Sequence, residues 1–116
     1  MSIVVEKQFL NGKVVGYSLL YKDTVIGSDK YLQEGTVLNL KGTIAAHHAL
    51  IHIEGEDITL RRIDNNPVWI NQRKMGWLKK EIQLNDKDKI QLGDPEHQLE
   101  INIIPFLGTT EQADEI

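Results

Sequence analysis

An all-β domain is what this sequence predicts, and three features carry the prediction. Short apolar runs alternate with polar residues in period two. Turn clusters, among them Asn11-Gly12, Glu54-Gly55-Glu56-Asp57 and Asp64-Asn65-Asn66-Pro67, punctuate those runs at the roughly 8–12 residue spacing of a sandwich or barrel. No stretch keeps a helical period over a dozen residues, and the best candidate, 45–50, is too short.

The first hairpin is signalled by Asn11-Gly12, because a type I′ turn needs positive φ at both central residues. The returning strand sets Val15, Tyr17, Leu19 and Tyr21 against Val14, Gly16, Ser18 and Leu20, and both faces are fairly apolar. A short strand follows at 24–26 and Gly27 ends it. Ala49, Ile51 and Ile53 share one face of the next strand, with Leu50 and His52 on the other. After the turn at 54–57, Ile58, Leu60 and Arg62 alternate with Thr59, Arg61 and Ile63. Short strands are expected at 68–70, 82–84 and 89–92. Leu99, Ile101 and Ile103 make the last strand, which Pro105 is expected to stop. The polar, acidic stretch 109–116 reads as a disordered tail, leaving one domain over 1–108.

Size and composition narrow the function classes. A chain of 116 residues buries about two-thirds of its unfolded surface, so no disulfide or metal staple is required. There is no cysteine, which removes thiolate catalysis and thiolate metal sites. Small secreted domains often need disulfides, so an intracellular setting is expected. No run of about 18 apolar residues could span a membrane, and residues 1–7 lack a leader pattern. The net charge of −4 argues against duplex nucleic acid, which is bound chiefly by neutralising its phosphates. Positive charge is scattered apart from Arg61-Arg62, Arg73-Lys74 and Lys79-Lys80.

Four segments, taken in order, resemble the forkhead-associated (FHA) family. The family's Gly-Arg after the third strand corresponds to Gly27-Ser28. Its Ser-Arg-x-His-Ala corresponds to Ala45-Ala46-His47-His48-Ala49. Its Asn-Gly-Thr-x-Val-Asn-Gly corresponds to the run from Asn66-Pro67 to Asn71-Gln72. Its Leu-x-x-Gly-Asp-x-Ile-x-Leu-Gly corresponds to the run from Leu84 to Gly93. The resemblance implies an 11-stranded β-sandwich, with the termini together at one end and interaction loops at the other.

The departures from that pattern shape the functional expectation. In the family, the Arg after Gly and the Ser of Ser-Arg-x-His contact the phosphate of phosphothreonine. Those positions are Ser28 and Ala45 here, and the second Arg is Ala46. Charge-assisted bonds contribute roughly 1.5–3 kcal/mol each, and Arg offers a planar fork for phosphate. Losing two or three such contacts costs about 10²–10⁴ in affinity. The resemblance leaves structural roles to Gly27, to His48, which ties the loop down, and to Asn66, which braces it. Pro67 and Gln72 in place of glycines are expected to alter the loops.

Other readings carry less. His48 and His52 would lie about 13 Å apart on one strand face, too far to share a metal, and no zinc-binding spacing is present. Ser28 beside Asp29 lacks a nucleophile elbow. Glu54, Glu56 and Asp57 fit a solvated turn better than acid–base catalysis. No catalytic residue, metal or cofactor is therefore assigned, and no small-molecule substrate is expected. Arg73-Lys74 and Lys79-Lys80 around Trp77 could touch single-stranded nucleic acid, but four charges favour a solvated loop. Trp69 lies between Val68 and Ile70 and so faces away from them, either exposed or packed on an outer sheet face.

The sequence thus predicts a scaffolding module that no longer reads phosphothreonine and binds itself, as a homodimer, or another protein. Trp69, Leu50 and Leu20 are its candidate interface. By analogy with checkpoint mediators, the chain opening at Met1 suits the N-terminal domain of a nuclear DNA-damage protein. One alternative is phosphopeptide recognition through the substitute cations Lys30 and Lys41. Another is a structural domain of a bacterial secretion-system basal body.

Overall fold

The computed structural model of the protein describes residues 2–28, 35–37, 44–76, 78–93 and 95–105. Asp29, Lys30, Lys41, Trp77 and the expected tail at 109–116 lie outside the described residues. The remainder forms eleven strands in two sheets and, among the described residues, no helix.

β1 (Ser2–Leu10) and β2 (Lys13–Leu20) make the first hairpin. Its turn has φ of 53° at Asn11 and 79° at Gly12, the pair of positive values a type I′ turn requires. β3 (Thr24–Gly27) pairs antiparallel with β5 (Ala49–Glu54) and parallel with β4 (Gly35–Val37). β5 turns at Glu54–Asp57 into β6 (Asp57–Arg62), which pairs with β9 (Glu81–Gln83). β7 (Trp69–Ile70), β8 (Arg73–Lys74), β10 (Lys89–Gln91) and β11 (His97–Pro105) belong to the other sheet. The sheet orders are β2-β1-β11-β10-β7-β8 and β4-β3-β5-β6-β9.

The sandwich core follows the predicted alternation. Ile26, Ile51, Ile58 and Leu60 fill it from one sheet, and Val4, Ile90, Leu99 and Ile101 from the other; all are buried. Each such side chain contributes about 1.5–3 kcal/mol on leaving water. Leu20 belongs to this core too, with 6% of its surface exposed. It sits opposite Val4 at an inward position, while Val15, Tyr17 and Leu19 face out. Leu20 is therefore not available as an interface residue. The basic pair Arg73-Lys74, read from sequence as loop, is the short strand β8. Pro105, expected to stop the pairing of the last strand, is itself paired, opposite Ser2.

One buried carboxylate ties the β7–β8 turn to the loop before β10. Asp88 accepts from Asn71 Nδ2 at 2.8 Å and from the Asn85 amide at 2.7 Å, and Asn71 Oδ1 accepts from the Lys89 amide at 2.9 Å. These bonds hold left-handed backbone that non-glycine residues rarely adopt: φ is 51° at Asn71, 71° at Gln72 and 68° at Lys87. Gln72 occupies a family glycine position, yet the turn keeps a glycine-like conformation and Gln72 carries the strain.

Gln72→Gly is therefore expected to raise stability by about 1 kcal/mol, since a left-handed conformation costs an L-residue roughly that much. The shift in the urea midpoint checks it.

Candidate interaction surface

β3 runs away from the Leu20 end of the sandwich and stops at Gly27. The segment 44–48 and the loop 63–68 meet it there. Gly27 is the point of closest approach. A Cβ at this position would stand 1.8 Å from the Ala46 carbonyl oxygen and 3.0 Å from that of Ala45. Any side chain would push the loop away, so the glycine is required by contact rather than by φ.

Three sets of hydrogen bonds then fix the loops. The Ser28 amide donates to the Ala45 carbonyl at 3.0 Å, and the His48 amide to that of Ile26 at 2.8 Å. The buried His48 ring bridges two loops: the Ala45 amide donates to Nδ1 at 3.0 Å, and Nε2 lies 2.7 Å from the Pro67 carbonyl. Because Nδ1 accepts, the neutral ring carries its proton on Nε2 and donates it to Pro67. Asn66 Nδ2 donates to the carbonyls of Ile63 at 3.0 Å and His47 at 3.4 Å.

Burial pushes the His48 pKa below the usual 6.5, opposed by the hydrogen bond to Pro67. Folding thus disfavours the His48 imidazolium. The stability it contributes is complete above the unfolded value and is lost as pH falls toward the depressed folded one. His52 behaves oppositely. Asp23, at 2.8 Å from Nδ1, and Glu54, at 3.3 Å from Nε2, raise its pKa on the open face of β5.

The structure therefore brings Gly27, Ser28, Ala45, Ala46, His48 and Asn66 into one surface at the loop end. Ser28, the residue in the family's Arg position, donates its hydroxyl to the Ile44 carbonyl at 2.8 Å. Ala45 is half-buried, Ala46 exposed, and neither offers a polar side chain. Sequence reasoning missed Ile44, a buried anchor whose carbonyl takes the Ser28 hydroxyl. Its place ahead of Ala45 gives no signal by itself.

The candidate interface residues do not form one patch. Ala49 and Ile51 point inward, so half-buried Leu50 lies on the outer face of the five-stranded sheet. Val68 and Ile70 point inward, so half-buried Trp69 lies on the outer face of the other sheet, with the Lys74 ammonium 5.6 Å from its ring centroid. Leu20 is in the core between them.

A family model described as the FHA domain matches residues 24–93. Solved structures agree over nearly the whole chain. The FHA domain of the CT664 protein from Chlamydia trachomatis superposes with a TM-score of 0.72 at 17% identity, covering 90% of this chain and 99% of that one. A domain from a study of phosphothreonine-dependent FHA interactions gives 0.70 at 20% identity, with the same coverage. Mycobacterium tuberculosis EmbR, solved with a low-affinity phosphopeptide, gives 0.69 at 20% identity over 90% of this chain and 25% of its own. No curated protein sequence matches the chain.

Two outcomes are expected. Gly27→Ala should lower stability by about 1–3 kcal/mol, the usual cost of forcing backbone apart in a packed site, read from the urea midpoint. In an NMR titration the His48 imidazole should titrate below 6.5 and that of His52 above it.

Proposed function

The chain belongs to the FHA domain family, and on that premise we propose that it is a non-catalytic protein-interaction module that docks an unmodified protein surface. FHA domains are interaction modules that typically bind phosphothreonine peptides. The observation that carries the reading is the spent hydroxyl of Ser28. Where the family pattern places a guanidinium, a small side chain is turned inward onto the Ile44 carbonyl, and Ala45 and Ala46 beside it add no donor. A dianionic phosphate docked there would lose water without gaining charge-assisted bonds, which favours its exclusion. The braces through Gly27, His48 and Asn66 still hold a shaped surface for protein contact. Such a module serves as a scaffold, joining a partner protein or a second copy of itself.

A second reading has one observation in its favour. An open cleft beside the Asn66 loop is lined by Arg62, Asn65, Pro67, Lys74, Met75 and Gly76. Its two cations could meet the phosphate of a phosphopeptide, the role that the sequence reading gives to Lys30 and Lys41.

Titration with a degenerate phosphothreonine peptide pool and its unphosphorylated twin separates the two. The wild-type affinities should agree within about threefold. Ser28→Arg combined with Ala45→Ser should raise the preference for phosphate by about 10²-fold, the worth of two charge-assisted bonds. A wild-type preference of that size, abolished by Arg62→Glu with Lys74→Glu, would establish the second reading instead.

A further inference from the structure

The two sheets end in four strands, and three of them are protected against pairing with another chain. β4 and β9 have three residues each and β8 has two. β8 is Arg73 and Lys74, both exposed, and β9 carries exposed Glu81 paired with Arg61 at 2.6 Å. Short strands and charges are the means by which natural sheets blunt their edges.

β2 has neither. It is eight residues long and terminates the six-stranded sheet. From Val14 to Tyr21 no residue is charged. Val15, Tyr17, Leu19 and Tyr21 are 60, 65, 61 and 76% exposed. In the pairing with β1, Leu19 stands beside Val5 and Tyr17 beside Lys7, so the apolar stripe runs along the outer face at the open edge.

We propose that β2 pairs antiparallel with β2 of a second copy about a two-fold axis. The proposal rests on the reading that this module acts through protein contact, and it supplies the surface for the self-associating case. The strand's own sequence selects the occupant. An antiparallel pairing centred on Ser18 sets Tyr17 opposite Leu19 of the second copy and Val15 opposite its Tyr21. Every outward apolar residue then meets another, and no charge enters the shared ladder. A two-fold contact of this kind is closed, because it consumes the long edge of each copy and leaves the charged β8 edges outermost. A ribbon seven residues long, from Val15 to Tyr21, buries less than the roughly 800 Å² per partner of a standard interface, so the dimer is weak and concentration-dependent. Its geometry sends the two Gly27 loop ends in opposite directions, and one dimer could bridge two partners.

Sedimentation of the full chain from roughly 1 μM to 1 mM, a range bracketing weak association, tests this. The wild type should pass from monomer to dimer. Tyr17→Glu with Leu19→Glu, which leaves Lys7 facing an opposite charge, should weaken dimerisation by more than about tenfold, as loss of central aromatic and apolar contacts does. Both side chains are exposed, so the variant should keep the wild-type circular dichroism and urea midpoint. Trp69→Ala should leave the dimer unchanged. A monomer at every concentration, a dimer indifferent to the double variant, or a monomer that instead captures an extended apolar peptide along β2 would each overturn the pairing. A monomer that ignores phosphorylation sinks the β2 pairing alone and leaves phosphate-independent docking standing. A dimer that selects phosphopeptides does the reverse.

Discussion

The loop end of this sandwich depends on one neutral imidazole. His48 sits where β5 begins and reaches both neighbouring loops, accepting from Ala45 and donating to Pro67. Its backbone continues the sheet: the amide donates to Ile26 and the carbonyl accepts from Ile63. Four hydrogen bonds thus run through a single buried residue. A charged ring could keep the bond to Pro67 but would set a proton against the Ala45 amide, so the arrangement is tied to the neutral form. Gly27 completes the lock by leaving room for the Ala46 carbonyl. The residues with bracing roles are distinct from Ser28, Ala45 and Ala46, which explains how a recognition surface can change while its frame persists.

Much of the fold was legible because its strongest signals are local. Asn11-Gly12 fixes a turn by backbone chemistry alone, and the alternation of Ala49, Ile51, Ile58 and Leu60 matches the buried face residue by residue. The strand expected at 68–70 found β7, but β8 was missed, since two residues are too few for periodicity to speak and Arg73-Lys74 has the composition of a loop. β2 defeated the pattern for a different reason. With apolar residues on both faces, alternation divides the strand into two sets but does not say which is inside. The register with Val4 settles that Leu20 is. The loop-end positions Gly27, Ser28, Ala45, His48 and Asn66 could be placed together because four short motifs fell in order. The hydroxyl of Ser28 turned onto Ile44 could not be read, since it is a rotamer choice made by the folded loop.

The turns show how far scaffold geometry outweighs residue preference. Asn71, Gln72 and Lys87 all hold left-handed backbone without a glycine among them. Two of them are held from outside: Asn71 by Asp88, and Lys87 by a hydrogen bond from its amide to the Ile101 carbonyl at 2.6 Å. Gln72, where the family pattern has glycine, follows Asn71 in the same turn and keeps a φ of 71°. Local strain persists where the surroundings over-determine the conformation.

The pairing of β1 with β11 bears on how the module transmits load. The two strands run antiparallel for nine residues, and Ser2 lies opposite Pro105 at the end far from Gly27. Tension applied between these two points would pull across the ladder at its open end. The inter-strand bonds would then break in turn from Ser2–Pro105 inward, each bearing the full force alone, as in an opening zipper. Strands loaded along their axes share force over many bonds at once, and this geometry does not. In a chain under tension the domain would yield early, and it would do so from the terminal end first, while the His48-braced loops were still folded.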